Sequence, residues 1–296
     1  MGRIIRCITT DGLIIGAAID STDIVRRAQE IHNSSPVVTT ALGRLLTGAS
    51  IMGNRLKEEQ GSLTLRVEGN GPAGALIAVS DSTGNVRGLA GNPQAETGDV
   101  IDVGAVVGHE GLLGVIKDFG EGEPYTAQIP LVSGEIAEDL TSYYAVSEQT
   151  PTVLMLGVHH GDDGIVDHAG GLLIQLLPLA DDREIEVLER NLKDIPKLTK
   201  MLQDGMSLED ILSRALEGFE LEFFDETEVK YECKCSREKV ESALISLGIK
   251  ELVSLSNSGE NTEICCHFCD KKYYFSPIEL LRLAKEIKDK KIQNNG

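Results

Sequence analysis

Tryptophan is missing from this 296-residue chain, and aromatic residues of all kinds make up only 4 % of it. Basic residues are scarce as well: 28 Lys and Arg stand against 47 Asp and Glu, a net charge of −19. A chain this acidic repels phosphate backbones, and with so few aromatics to stack on bases it is a poor general nucleic-acid binder. No run approaches 18 consecutive apolar residues, so no transmembrane helix is expected. The stretch from Met1 to Asp20 is broken by Asp11 and is followed by no small-residue cleavage site. It reads as strand-turn-strand rather than as a secretory signal, which makes the cytoplasm the expected location and a membrane an unexpected partner. The glycine runs at 69–72 and 108–114 lack a Gly-Lys-Ser/Thr ending and a strand-GxGxxG-helix setting, so they read as turns. There is no nucleophile elbow and no acid–base pair that can be nominated, so no enzyme activity is expected. The doublets Glu58-Glu59, Asp162-Asp163 and Asp181-Asp182 read as solvated faces or caps.

What is present is unevenly spread. Apolar residues are 41 % of the chain, enough for a packed core. Residues 1–180 hold 26 of the 31 glycines and read as a mostly antiparallel sheet with packed helices. Ser62–Glu68 alternates Leu63, Leu65 and Val67 with polar neighbours, the period-2 pattern of a half-buried strand. Ala75–Ser80, Val86–Gly91, Gly111–Phe119 and Tyr125–Pro130 continue the series, and Gly170–Leu177 reads as its last strand. Ser35-Pro36 places a cap and a first-turn proline ahead of Val38, Ala41, Leu42, Leu45, Ala49 and Met52, which keep helical spacing. The glycines at 43, 48 and 53 of that helix suit close packing. A second helix is expected over Ile136–Tyr144.

Residues 181–230 change character. Ile185, Leu188, Leu192 and Ile195 keep helical spacing among charges, and Ser207 can cap a further helix carrying Ile211, Leu212 and Ala215. Such narrow apolar faces cannot form a core alone and must pack on something else, most simply the first domain. The segment 181–232 has net charge −9. Residues 231–296 form a small third unit, and from 233 onward the net charge is +2. Ser236 caps one helix there, which Gly248 ends, and Ser276-Pro277-Ile278-Glu279 opens another over Ile278–Lys291, with basic residues late where they suit the helix dipole. The overall expectation is an α+β chain of three parts: a core domain at 1–180, an amphipathic helical linker at 181–230 and a small C-terminal domain at 231–296.

About 65 residues with so little core usually need a metal or a disulfide. Cysteine usage supplies the candidate. Cys7 stands alone and reads as a small buried apolar residue. Cys233, Cys235, Cys265, Cys266 and Cys269 fall within 37 residues. In a reducing cytoplasm such clusters are metal ligands or redox groups more often than permanent disulfides. Two close thiolate pairs, Cys233-Lys-Cys235 and Cys266-His-Phe-Cys269, can form a tetrahedral S4 site, which suits one Zn(II). Zinc-bound sulfurs are deprotonated, so the site also stores four thiolates.

A CxC pair followed some 30 residues later by CxxC, at the C-terminal end, resembles the bacterial redox-regulated thirty-three-kilodalton heat-shock chaperone family. Other segments agree: Ser35-Pro36 with Ala41-Leu42-Gly43-Arg44, Gly134-Glu135-Ile136-Ala137-Glu138-Asp139-Leu140, Ser147-Glu148-Gln149-Thr150-Pro151, and Ala169-Gly170-Gly171 with Gln175-Leu176-Leu177-Pro178. The resemblance spans the whole chain. It implies a stress-response holdase rather than an enzyme. In such a protein the reduced, zinc-bound form is inactive. Oxidation pairs Cys233 with Cys235 and Cys266 with Cys269, zinc is released, and the zinc domain and linker lose structure. The exposed apolar surface then binds unfolding client proteins, often as a homodimer.

Cys265 has no place in that pattern. It reads as a bystander pointing away from the metal, or as a competing disulfide partner during oxidation. His267, between two ligands, could replace a thiolate, although four cysteines already suffice. The segment 158–168 holds His159, His160, Asp162, Asp163, Asp167 and His168; a carboxylate–histidine metal site is conceivable there, and a solvated loop between two strands is the plainer reading. Lys271, Lys272, Tyr273, Tyr274 and Phe275 leave open a zinc-ribbon nucleic-acid binder, against which the acidic bulk argues. An enzyme with a structural zinc tail is a third reading, for which no residues can be named.

Overall fold

A computed structural model describes residues 1–98 and 100–293, with side chains described up to residue 288. The chain divides into two compact units, Met1–Glu232 and Cys233–Gly296. Among the described residues no helix is long and apolar enough to cross a membrane.

In the first unit, β1 (Gly2–Thr9) and β2 (Ile14–Asp20) form the expected hairpin, and helices α1 (Thr22–His32) and α2 (Pro36–Gly53) follow. A second sheet then forms from β3 (Ser62–Gly69), β4 (Leu76–Asp81) and β5 (Val86–Ala90), a short helix α3 (Val103–Val107), β6 (Gly111–Asp118) and β7 (Tyr125–Pro130). Its order is β5-β4-β3-β6-β7, antiparallel throughout. Helix α4 (Ala137–Tyr143) runs into a π turn at Tyr144–Glu148. The chain returns to the first sheet with β8 (Thr152–His160) and β9 (Val166–Leu176). These strands reach closer together than a loop over 158–168 would allow, because His159, His160, Asp167 and His168 all lie within the hairpin strands.

Helix α2 sits in the core that joins the two sheets. Apart from Pro36 and Arg44 all its residues are buried. The Ser35 hydroxyl accepts the Val38 N–H and caps its start. Small residues let its backbone approach its neighbours: a Cβ at Gly43 would fall 2.5 Å from Val25 Cγ1, and one at Gly53 2.1 Å from Ser80 Oγ.

The acidic stretch after β9 also belongs to the first unit. Helices α5 (Asp182–Lys193), α6 (Leu198–Gln203) and α7 (Leu208–Ala215) turn Leu188, Leu198, Met201, Leu208, Ile211, Leu212 and Ala215 onto the outer face of the first sheet. There they bury Ile5, Cys7, Ile14, Ala18, Leu172 and Ile174. Strands β1, β2 and β9 are therefore apolar on both faces, one toward α2 and the other toward these helices. Burying each such Leu or Ile contributes about 1.5–3 kcal/mol. The acidic tail is more ordered than its composition suggests. Two three-residue strands, β10 (Leu221–Phe223) and β11 (Thr227–Val229), pair antiparallel with β1, making the first-sheet order β10-β1-β2-β9-β8 with β11 also on β1. Tyr231 then bridges to Val86 at the edge of the second sheet.

The second unit contains α8 (Arg237–Leu247), α9 (Ile249–Ser256), the hairpin β12 (Thr262–Cys265) and β13 (Lys272–Phe275), and α10 (Pro277–Gln293). Its core is small: Leu244, Leu252, Tyr273, Phe275, Leu280, Leu283 and Ala284. The Ser236 and Ser276 caps form as the sequence suggests, the latter with Glu279 accepting the Ser276 N–H. Of the basic residues expected late in α10, the side chains of Lys290 and Lys291 lie outside the described residues.

One buried charge stands out in the first unit. The Asp139 carboxylate is fully buried and accepts backbone N–H groups from Val132, Ser133, Gly134 and Ile136 at 2.7–3.4 Å. It fixes the loop that enters α4, including Ile136 at φ +69°. Asp139→Ala leaves those donors unpaired and is expected to lower stability by about 3 kcal/mol in urea unfolding of the reduced protein. Asp139→Asn keeps an acceptor and loses less.

Candidate metal centre

The two cysteine pairs arrive from opposite directions. Cys233 and Cys235 lie in an irregular segment just ahead of the Ser236 cap, where Lys239 Nζ donates to the Lys234 carbonyl at 2.9 Å. Cys266 and Cys269 sit in the turn of the β12–β13 hairpin. There Cys269 N and Asp270 N both donate to Cys266 O, at 3.2 and 2.8 Å, and Cys266 N donates to Lys271 O at 2.9 Å. Asp270 takes φ +58°, a left-handed conformation that Asp tolerates, and this closes the turn so that both thiols face the same way.

All four Sγ atoms lie within 4.8 Å of one another. Cys233 Sγ is 3.7 Å from Cys266 Sγ, and Cys235 Sγ is 3.4 Å from Cys269 Sγ. Both approaches run between the two pairs. A tetrahedron of thiolates around one ion at metal–sulfur distances of ~2.3 Å has edges of about 3.8 Å, so four sulfurs at this spacing fit such an ion without large rearrangement. The cluster can hold a metal ion and is consistent with zinc.

The surroundings differ from thiol to thiol. Burial disfavours the thiolate at Cys235, but the Tyr273 hydroxyl, donating to its sulfur at 3.1 Å, and the neighbouring thiols outweigh it and bring Cys235 down to about 7. Burial holds Cys233 and Cys269 up. Tyr273 is thus a contributor to the site that sequence reasoning missed. Its two-residue spacing from Phe275 is the signal that could have found it, once the strand was known.

Cys265 stands apart. Its sulfur donates to Asp270 Oδ1 at 2.7 Å, which holds this thiol up at about 11, and it is not among the clustered sulfurs. His267 is exposed and also outside the cluster. The aromatic run that suggested a stacking surface faces inward instead: Phe275 is 0 % and Tyr273 6 % exposed, while Tyr274 is half exposed. Lys272 pairs with Glu263 at 2.9 Å. Arg237 ties the elements around the site together, reaching Tyr274 O and Glu279 Oε1 and lying 4.3 Å from the centre of the Phe275 ring.

Elsewhere, His159 Nδ1 pairs with Asp167 Oδ1 at 2.7 Å, and His160 is held by Thr40 Oγ1 and Gly164 O. These residues form no metal-binding group among the described residues. Cys7 is fully buried, and burial pushes its thiol up to about 11.

Comparison with known proteins agrees with these features. A family model described as Hsp33 protein matches residues 2–276. The chain is 44 % identical over 288 residues to the 33 kDa chaperonin of Clostridioides difficile, covering 96 % of this chain and 99 % of that one. It is 42 % identical over 292 residues to the 33 kDa chaperonin of Acetivibrio thermocellus, covering 97 % and 98 % of the two chains. The crystal structure of the 33 kDa chaperonin of Thermotoga maritima matches with a TM-score of 0.88 at 35 % identity, over 97 % of this chain and 99 % of that one.

Substitution separates the clustered thiols from their neighbour. Cys266→Ser is expected to weaken metal binding at least tenfold in competition with a chromogenic chelator, whereas Cys265→Ser leaves the affinity unchanged.

Proposed function

The chain belongs to the Hsp33 family, and from that premise we propose that it is a redox-regulated holdase whose switch is the thiol cluster of the second unit. In this reading Cys233, Cys235, Cys266 and Cys269 hold one Zn(II) in the reduced protein. Bound zinc joins the two chain segments and contributes folding free energy on the order of 10 kcal/mol, the scale of structural zinc in small peptides. That exceeds the margin expected for a unit with so small a core. The arrangement of the four sulfurs, gathered from the start of that unit and from its central hairpin, is the observation that carries the proposal.

The chain's own groups do the rest. Under oxidation Cys233 pairs with Cys235 and Cys266 with Cys269, the pairing that family membership implies. Each disulfide forms as two thiolate sulfurs give up two electrons, with two protons drawn from solvent. Hydrogen peroxide accepts them and leaves as two waters. Sulfurs spent in disulfides no longer serve as thiolate donors, so zinc is released, and Tyr273 and Cys235 lose the packing that the closed site imposes. With the second unit unfolded, Glu232 becomes an end of the folded region, and chain ends are where structure frays first. The short strands β10 and β11 next to that end loosen first, followed by the amphipathic helices α5, α6 and α7, each of which holds on by a single apolar face. Their release uncovers Ile5, Ile14, Leu172 and Ile174 on the outer face of the first sheet. That apolar surface receives unfolding client proteins in the cytoplasm under oxidative stress, with homodimerisation in the oxidised state. The reduced form keeps the same surface covered and is inactive.

Light scattering from an aggregating client tests this reading. Protein pretreated with peroxide at mildly raised temperature is expected to suppress the scattering at near-stoichiometric amounts, and reduced protein is expected not to. Equal behaviour of the two forms would contradict the switch.

A further inference from the structure

The acidic segment ahead of Cys233 is a strap laid across the edges of both sheets. β10 pairs with Cys7–Thr9 of β1, and β11 pairs with Gly2–Ile4. Beyond them Val86 N donates to Lys230 O, and Glu232 N donates to Val86 O, at the edge of β5. Without this strap β1 would be the outermost strand of the first sheet, with an eight-residue open edge.

The strap holds on by little. Its two strands are three residues each, Phe223 and Phe224 are partly exposed, and six of the thirteen residues from 220 to 232 are acidic. Its firmest anchor is Val229, fully buried among the apolar residues around Ile4. The seat for that side chain is made by Gly84, at φ +88°, where a Cβ would fall 2.9 Å from Val229 Cγ1 and 3.2 Å from Ile4 Cδ1.

Thr10 N donates to Glu220 O, and Phe224 N donates to Arg6 O. Backbone groups alternate in direction along a strand, so Gly2, Ile4, Arg6 and Ile8 also turn their N–H and C=O toward the strap. Arg3 reaches Glu226 at 3.6 Å, and Arg6 lies 5.8 Å from the centre of the Phe224 ring.

We propose that the β1 edge vacated by this strap is a client-binding site, at which an extended segment of an unfolded protein adds as a strand. The inference rests on the redox-switch reading above, which supplies the release. The segment that fits repeats what the strap does now. It offers backbone hydrogen bonds along Gly2–Thr9, apolar side chains at alternate positions with one in the Val229 seat, and aromatic or acidic side chains within reach of Arg3 and Arg6. Main-chain pairing makes such a site tolerant of sequence, as a holdase requires, and the strap's acids keep the edge covered without making the strap itself adhesive.

Hydrogen exchange on the full chain tests this, with reduced, carboxymethylated α-lactalbumin as the unfolded probe and co-elution in gel filtration reporting its binding. The amides of Ile4, Arg6 and Ile8 are expected to be protected in the reduced protein. They should exchange at least 100-fold faster after oxidation and regain at least tenfold protection once the probe is bound. Arg6→Pro, which removes an outward N–H at the middle of the edge, is expected to weaken probe binding at least fivefold. Amides that stay protected after oxidation while the probe binds, or that stay fast in the bound complex, would overturn the proposal. Protection that returns without probe as the oxidised protein is concentrated would assign the edge to a second copy and overturn it equally. Failure of the oxidised protein to bind the probe at all would remove the switch reading and this site with it.

Discussion

Four sulfur atoms meeting at one point are the constraint on which the second unit depends. Among the described residues its core amounts to seven buried apolar side chains, and two of the clustered cysteines, Cys235 and Cys266, themselves pack against that core. The thiols are therefore both candidate ligands and structural members. The hairpin turn that presents Cys266 and Cys269, the Tyr273 hydroxyl on Cys235 and the Arg237 bridge from α8 to β13 and α10 all converge on the same few ångströms. On the proposed reading a chemical change at sulfur is a change in folding free energy, with no separate transmission device required.

The first unit shows the complementary economy. Its six-stranded sheet is apolar on both faces, yet only one face is covered by elements of its own core. The other is covered by three short helices and a strap whose sequence is dominated by acidic residues. Net charge −9 over that stretch would keep it soluble on the release proposed above, and its narrow apolar faces give it its docked position. Marginal docking is what a cover needs if it is to leave under mild stress while the doubly wrapped helix α2 and the Asp139-anchored loop stay in place.

Much of this was legible in the chain. CxC and CxxC spacing identified the four clustered thiols because metal-ligand spacing is a local property. The strand at Ser62–Gly69 announced itself by alternation, and α2 by its cap, its first-turn proline and the helical spacing of its apolar residues. The three-residue strands β10 and β11 did not, because so short a segment carries no period and its pairing with β1 joins residues more than 200 positions apart. The hairpin around His159 and Asp167 was masked by turn-forming glycines and aspartates, which mark the tip at 161–164 and conceal how far the strands extend. Tyr273 read as a surface aromatic because its neighbours are lysines. Only the register of the hairpin shows that it and Phe275 share the inward face.

The central claim is that the thiolate site, rather than the apolar core, keeps the second unit folded. Amide NMR of the full chain, with metal withdrawn by a strong chelator under anaerobic, fully reducing conditions, isolates that claim from oxidation. The account predicts that signals from residues 233–288 collapse into the narrow range of unfolded chain while those of β3, β6 and α2 keep their dispersion. A metal-free, fully reduced second unit that retained dispersed amide signals would contradict it.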